Sequence, residues 1–237
     1  TEYTISAVSA AQYPTIPDSA AGECITISQS ALQPMVGQPL FAVSQNDTKP
    51  ILKGELFEID DSKLNVVAID GYRLAVRTEA IKNDESKKFV IPAKTLSEVS
   101  KLLKDEDELT CDIIVSKKHI VFDFNGYTVF SRLLEGEFHN YKGSIPQKSV
   151  TEVIIPRREL IDCLERASLL INERIKSPVR CLFDSGVLKI SCQTSIGKIF
   201  DEIACDISGP MIEIGFNCKY LLDPLKVIGD EKIKLLM

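Results

Sequence analysis

Two pairs of lysines, each seven residues apart, are the first candidates for chemistry: Lys94 with Lys101, and Lys219 with Lys226. Seven residues is about two helical turns, so each pair shares a face if its segment is helical. Lys104 joins the first face three residues further on. Such a row is either a solvated helix face or a basic surface for a polyanion, held by non-specific phosphate contacts. Arg157, Arg158 and Arg166 extend the row on another predicted helix, whereas Ser28 to Val43 offers no Lys or Arg. The other distinctive stretch is Ala68-Ile69-Asp70-Gly71-Tyr72-Arg73-Leu74-Ala75-Val76. Asp70-Gly71 signals a tight turn in which glycine supplies a positive φ. Arg73 among apolar neighbours either lines a binding groove or pairs with a buried acid.

No catalytic constellation is present in the sequence. There is no Gly-rich phosphate loop, G-x-S-x-G, H-E-x-x-H or paired Cys/His. His119 and His139 are the only histidines, too few for a zinc set, and the acidic run Asp105 to Glu108 reads as a solvated loop. No catalytic residue, metal or cofactor is therefore expected. The seven cysteines form no C-x-x-C pair and sit mostly among apolar residues, as reduced packing cysteines of a cytosolic protein do. A net charge of −6 argues against simple nucleic-acid coating, but not against basic residues gathered on one surface. No apolar run approaches the roughly 18–20 residues of a membrane span, so no membrane partner is expected.

The elements that must carry these residues are repeated. Ile91-Pro92-Ala93-Lys94-Thr95-Leu96-Ser97-Glu98-Val99-Ser100-Lys101 falls, 125 residues on, upon Phe216-Asn217-Cys218-Lys219-Tyr220-Leu221-Leu222-Asp223-Pro224-Leu225-Lys226. The same shift carries Ser6 onto Ser131 and Tyr13 onto Phe138. A period this long is one domain per copy. Hydrophobic spacing and turn signals predict helices over 28–43, 94–103, 157–171 and 218–228. They predict strands over 24–27, 52–58, 64–69, 72–78, 109–115, 119–124, 127–134, 153–156, 180–184, 187–193 and 198–206. Residues 1–17 read as a strand and an irregular segment, 18–22 as a linker, 213–215 as the lead-in to the last helix and 232–237 as the start of another strand. The phase of the repeat predicts the tail of one copy (1–17), one whole copy (18–148) and part of another (149–237), hence a parent with at least three copies and truncation at both ends.

Five segments, in order along the chain, resemble those of a known family. Residues 68–76 resemble the A-T-D-G-H-R-L-A segment of the bacterial β sliding clamp, the DNA polymerase III beta subunit. Phe89-Val90-Ile91-Pro92 resembles its V-I-V-P, and Ser131-Arg132-Leu133-Leu134-Glu135-Gly136-Glu137-Phe138 its S-R-L-x-x-G-x-F. Arg166-Ala167 with Asn172-Glu173 resembles its R-A-x-x-x-x-N-E, and the stretch from Gly215 to Asp223 its G-F-N-x-x-Y-x-L-D.

The resemblance implies an α+β fold, the DNA-clamp or processivity-factor fold, with repeated domains that each pack two helices on antiparallel sheets. It divides the chain into a C-terminal remnant of a first domain (1–17), a middle domain (18–148) and a third domain lacking its C-terminal strands (149–237). It implies a cytoplasmic, non-catalytic processivity factor. A head-to-tail homodimer would close around duplex DNA, with Lys94, Lys101, Lys104, Arg157, Arg158, Lys219 and Lys226 toward the DNA and no reading of base sequence.

Implied partners are the DNA polymerase III alpha subunit, the clamp loader, and other polymerases and repair proteins that insert a short peptide with apolar and Gln anchors. The implied pocket is Leu52, Ile69, Gly71, Tyr72, Arg73, Leu74, His139 and Ser144, with Asn217 and Tyr220 at the rim. His139 and Ser144 depart from the family, which has Pro and often an apolar residue there. Leu169, Leu170 and Tyr3 map to the ring interface, and the chain alone is not expected to close a ring. A clamp-like adaptor that binds peptides without encircling DNA remains the alternative.

Overall fold

The computed structural model describes residues 1–12, 22–60, 62–81, 86–171 and 177–237. Residues 13–21, with Tyr13 and most of the expected linker, lie outside the described residues, as do Asn172 and Glu173.

Strand β1 (Glu23–Ser28) runs into helix α1 (Gln29–Gly37), where the Ser28 hydroxyl caps the helix by accepting from the Ala31 N–H at 3.4 Å. α1 buries Leu32, Met35 and Val36 along one stripe. It stops short of the expected Val43, and Pro39–Ala42 form a separate 3-10 turn. Pro39 has no N–H with which to continue the ladder. Strands β2 (Gly54–Asp60), β3 (Lys63–Ile69), β4 (Leu74–Ala80) and β5 (Lys87–Pro92) form an antiparallel sheet ordered β4-β3-β2-β5. Gly54 lets β2 approach β5, since a Cβ there would lie 2.2 Å from the Ile91 carbonyl oxygen. Helix α2 (Ala93–Leu102) follows β5 directly, then β6 (Thr110–Val115), β7 (His119–Phe124) and β8 (Tyr127–Arg132), which join β1 in a second sheet, β1-β6-β7-β8.

The order then repeats. Strand β9 (Glu152–Pro156) leads into helix α3 (Arg157–Ser168), and β10 (Val179–Asp184), β11 (Val187–Gln193), β12 (Lys198–Ala204) and β14 (Ile212–Phe216) form the sheet β12-β11-β10-β14. Helix α4 (Cys218–Val227) and β15 (Lys232–Leu236) follow, and β15 joins β9 and β13 (Asp206–Ser208) in the sheet β13-β9-β15. Shifting α2 by 125 residues gives α4 end for end. α1 packs on α2, and α3 on α4. The two copies have separate apolar cores, one around Phe57, Leu96, Ile113 and Phe122, the other around Ile155, Leu164, Phe183 and Leu222. The result is an α+β fold of repeated domains.

Three expectations need correction. Residues 1–9 carry no regular structure and are exposed, with a 3-10 turn only at Ala10–Gln12. No strand pairs with them among the described residues, so no ladder forms there. The run 198–206 is two strands in different sheets, because the chain crosses at Cys205 from β11 to β9. Strand β5 was not expected as a strand; it is a short apolar run between two lysines and a proline, buried on both faces. No helix among the described residues is long and apolar enough to cross a membrane.

Candidate functional site

The turn after β3 builds one wall of a groove. The Asp70 carboxylate accepts from the backbone N–H groups of Tyr72 and Arg73 at 3.0 and 3.1 Å, and from Arg73 Nε at 2.9 Å. Gly71 stands at φ +94° with open space where a Cβ would lie, so its backbone conformation, not room, demands glycine. The turn extends through Arg73, which starts β4 two residues later than expected and leaves the Tyr72 ring exposed.

Eight of the expected pocket residues meet in this groove of about 890 Å³: Leu52, Ile69, Gly71, Tyr72, Arg73, Leu74, His139 and Ser144. The sequence reading missed five more that line it: Lys49, Ile51, Glu137, Phe138 and Asn140. Phe138 had a signal, since it closes the repeat signature. Beneath the groove lie buried Leu56, Val67, Val90 and Tyr141. The opposite wall is polar, with His139 Nε2 and Ser144 Oγ 3.4 Å apart.

That wall is fixed from below by Glu58, which is 1% exposed. Its carboxylate accepts from Tyr141 Oη at 2.5 Å, Lys88 Nζ at 2.7 Å and Lys142 Nζ at 3.1 Å. Burial pushes the Glu58 pKa up, but these three donors outweigh it and hold it down at about 2.

Tyr220 reaches the rim from α4, its ring 6.0 Å from that of Tyr72 and 4.6 Å from the Arg73 guanidinium carbon. Asn217 does not. Its side chain caps α4 by accepting from the Lys219 N–H at 3.0 Å, and it lines a separate cleft of about 690 Å³ with Lys219, Asp223 and Lys226. Arg73 resolves both of its open readings at once: it lines the groove and also pairs with Asp70 and Asp223. Burial disfavours its charge, yet hydrogen bonds to Asp223 and Asp70 outweigh that and raise its pKa.

The basic residues divide into three kinds. Lys94 and Lys219 are exposed at equivalent positions of α2 and α4, with no ion pair among the described residues. Lys101, Lys104, Arg158 and Lys226 are exposed but paired, with Glu98, Glu106, Asp162 and Glu165. Arg157 donates from Nε to the Asp230 carbonyl at 2.7 Å and from Nη1 to the Leu225 carbonyl at 2.9 Å, so it ties down the end of α4. Arg166 binds Asp201 on β12 and does not extend the row.

Of the expected interface residues, Tyr3 and Leu169 are 82% and 79% exposed, while Leu170 is half-buried over Gly197. Ile196 and Phe200, also exposed, stand beside and on the open edge strand β12; the sequence reading missed both. Burial pushes the thiols of Cys111, Cys163 and Cys181 up to about 12, so none is a thiolate nucleophile near neutral pH. Chemically, the groove sets apolar Ile51, Leu52, Ile69, Leu74 and Phe138 against about as many polar and charged groups, among them Lys49, Arg73, Glu137 and His139.

Tandem α+β domains of one topology, each pairing two helices against antiparallel sheets, define the class of clamp-fold proteins. A model of the DNA polymerase III beta subunit, central domain, matches residues 26–140, and one of its C-terminal domain matches 142–237. The chain is 35% identical over 239 residues to the beta sliding clamp of Bacillus subtilis (strain 168), covering 99% of this chain and 63% of that relative. It is 31% identical over 237 residues to that of Staphylococcus epidermidis, again covering 99% and 63%. The crystal structure of the DNA polymerase sliding clamp from Bacillus subtilis superposes with a TM-score of 0.92 at 34% identity, covering 97% of this chain and 62% of that one. The DNA polymerase III subunit beta from Pseudomonas aeruginosa gives 0.90 at 29%, covering 97% and 63%. The chain belongs to the bacterial DNA polymerase III beta subunit family, the sliding clamps. It spans about 63% of the length of these curated relatives.

Proposed function

We propose that this chain forms the middle domain (18–148) and part of the third domain (149–237) of a ring-forming DNA polymerase processivity factor, with 1–17 the end of a first domain. The ring, a cytoplasmic homodimer, encloses duplex DNA and has no catalytic activity of its own. Topology rather than tight affinity keeps it on the template. The single observation that carries this reading is the equivalence of Lys94 and Lys219, exposed on corresponding helices of two copies. Lys101, Lys104, Arg158 and Lys226 add to that basic surface, and Arg157 serves it by anchoring α4. Phosphate contacts of this kind carry no base sequence and permit sliding.

The groove beside Tyr72, Arg73 and Leu74 tethers peptide segments of the DNA polymerase III alpha subunit, the clamp loader, and other polymerases and repair proteins. Its apolar floor supports that reading; the polar His139 and Ser144 wall tunes which peptides fit. Leu169, Leu170 and Tyr3, joined by Ile196 and Phe200, belong to the ring contact, where the open edge of β12 favours strand pairing across subunits.

The test is topological. Full-length protein is loaded onto circular DNA with a clamp loader, and the DNA is then linearised. Release from the cut ends supports the ring; retention independent of topology supports the peptide-binding adaptor instead.

A further inference from the structure

We infer that Arg73 and Asp223 form a latch between the two copies that sets the aromatic rim of the groove, so that Asp223 governs peptide affinity without touching the peptide. The inference rests on the reading of the groove as a peptide site.

Each guanidinium nitrogen of Arg73 is already engaged. Nε donates to Asp70 Oδ2 at 2.9 Å, Nη1 to Asp223 Oδ2 at 2.5 Å and Nη2 to the Phe41 carbonyl at 2.6 Å. The group lies 5.4 Å from the Phe41 ring centroid and 4.6 Å from that of Tyr220. The Arg73 and Asp223 side chains are only 16% and 23% exposed, so solvent screens the pair weakly. With all three nitrogens bonded, through three of its five N–H donors, the planar group is held in one orientation.

The partners fall on one face of α4. Tyr220 and Asp223 are three residues apart, neighbours on the helix surface. A second tie lands near the end of the same helix, where Gln38 Nε2 donates to the Val227 carbonyl at 3.0 Å. α4 is thus held to the preceding copy at two points, and it carries Tyr220 against Tyr72 at the groove rim. At the equivalent position of α2 stands Glu98, whose only ion pair among the described residues is a solvated one with Lys101. The acidic residue is shared by both helices; only in α4 does it meet an arginine from the other copy.

The probe is a fluorescent synthetic peptide with one glutamine, apolar anchors and no charged side chain, titrated against the full chain. Asp223→Asn is expected to weaken binding about tenfold, the scale of a lost charge-assisted hydrogen bond. Asp223→Glu recovers most of that affinity, whereas Arg73→Lys, which lacks the fork, does not. Hydrogen exchange in Asp223→Asn should speed up over Tyr220–Val227 and stay unchanged in the β10–β11 hairpin. Wild-type affinity in Asp223→Asn, with Leu74→Asp abolishing binding, overturns the latch while leaving the groove intact. Exchange that rises uniformly also overturns it. Failure of the wild-type chain to bind the peptide overturns the reading of the groove, and the latch role with it.

Discussion

The two copies solve the same packing problem with different chemistry at the centre of the same sheet. Glu55 pairs with Ile91 across β2 and β5, and Val179 pairs with Phe216 across β10 and β14. Ile91 and Phe216 are equivalent under the 125-residue shift, so Glu55 and Val179 occupy one structural position. Val179 is a fully buried core residue of the second copy. Glu55 is equally buried, and neither carboxylate oxygen has a hydrogen-bond partner among the described residues. Burial raises its pKa well above the usual carboxylate range. Three residues further on, on the opposite face of β2, the contrast recurs: Glu58 faces Lys88 where Leu182 faces Glu213. There the buried acid is fully partnered. Burial alone therefore does not decide the cost of a buried carboxylate; its donors do.

The largest expected effect comes from exchanging the copies' chemistry. Val179→Glu places an unpartnered acid in the core of the second copy and should destabilise that copy by about 3–5 kcal/mol, read by denaturant unfolding. A small change would mean that the sheet centre admits water.

Next is Tyr141→Phe, which removes a donor from Glu58 and should cost about 1.5–3 kcal/mol near pH 7. Its cost should also depend on pH. The Glu58 pKa is lowered in the folded chain, so its contribution is present above the ordinary value of 4.5 and is lost as pH falls through about 2. The penalty of Tyr141→Phe should shrink over that acid range, and a constant penalty would break the assignment.

Glu55→Val should stabilise the middle domain by about 1–2 kcal/mol. The sign with pH is opposite. A raised folded pKa leaves stability intact below 4.5 and erodes it as pH rises toward the folded value. The gain should therefore be larger at pH 8 than at pH 5. An equal gain at both would show that Glu55 finds a partner.

Smallest is Leu169→Ala. The side chain is solvent-exposed, so a change within about 0.5 kcal/mol in chain stability is expected. A larger loss would mean that Leu169 is core.

Much of this was legible in sequence, for physical reasons that differ by site. Helices α2 and α4 were found within one residue, because Leu96 with Val99, and Leu222 with Leu225, mark one apolar face and lysines the other. The Asp70-Gly71 turn was found because its chemistry is local. Glu55 escaped notice because β2 is buried on both faces, and an alternating pattern cannot announce that. The role of Asp223 escaped because its partner lies 150 residues away, although the residue itself stood in a recognised motif. Asn217 was misplaced for the converse reason: a local helix cap claimed the side chain expected at the groove.

The central claim is that both copies present one cationic helix each to the same polyanion. The direct measurement is the lifetime of full-length, clamp-loaded protein on closed circular DNA, for Lys94→Glu and Lys219→Glu separately and together, with Lys118→Glu as a control outside the helices. The account predicts that each helix variant shortens the lifetime by a similar factor, that the double variant compounds them, and that the control leaves it unchanged. Lifetimes untouched by either helix variant, or shortened as much by Lys118→Glu, would contradict it.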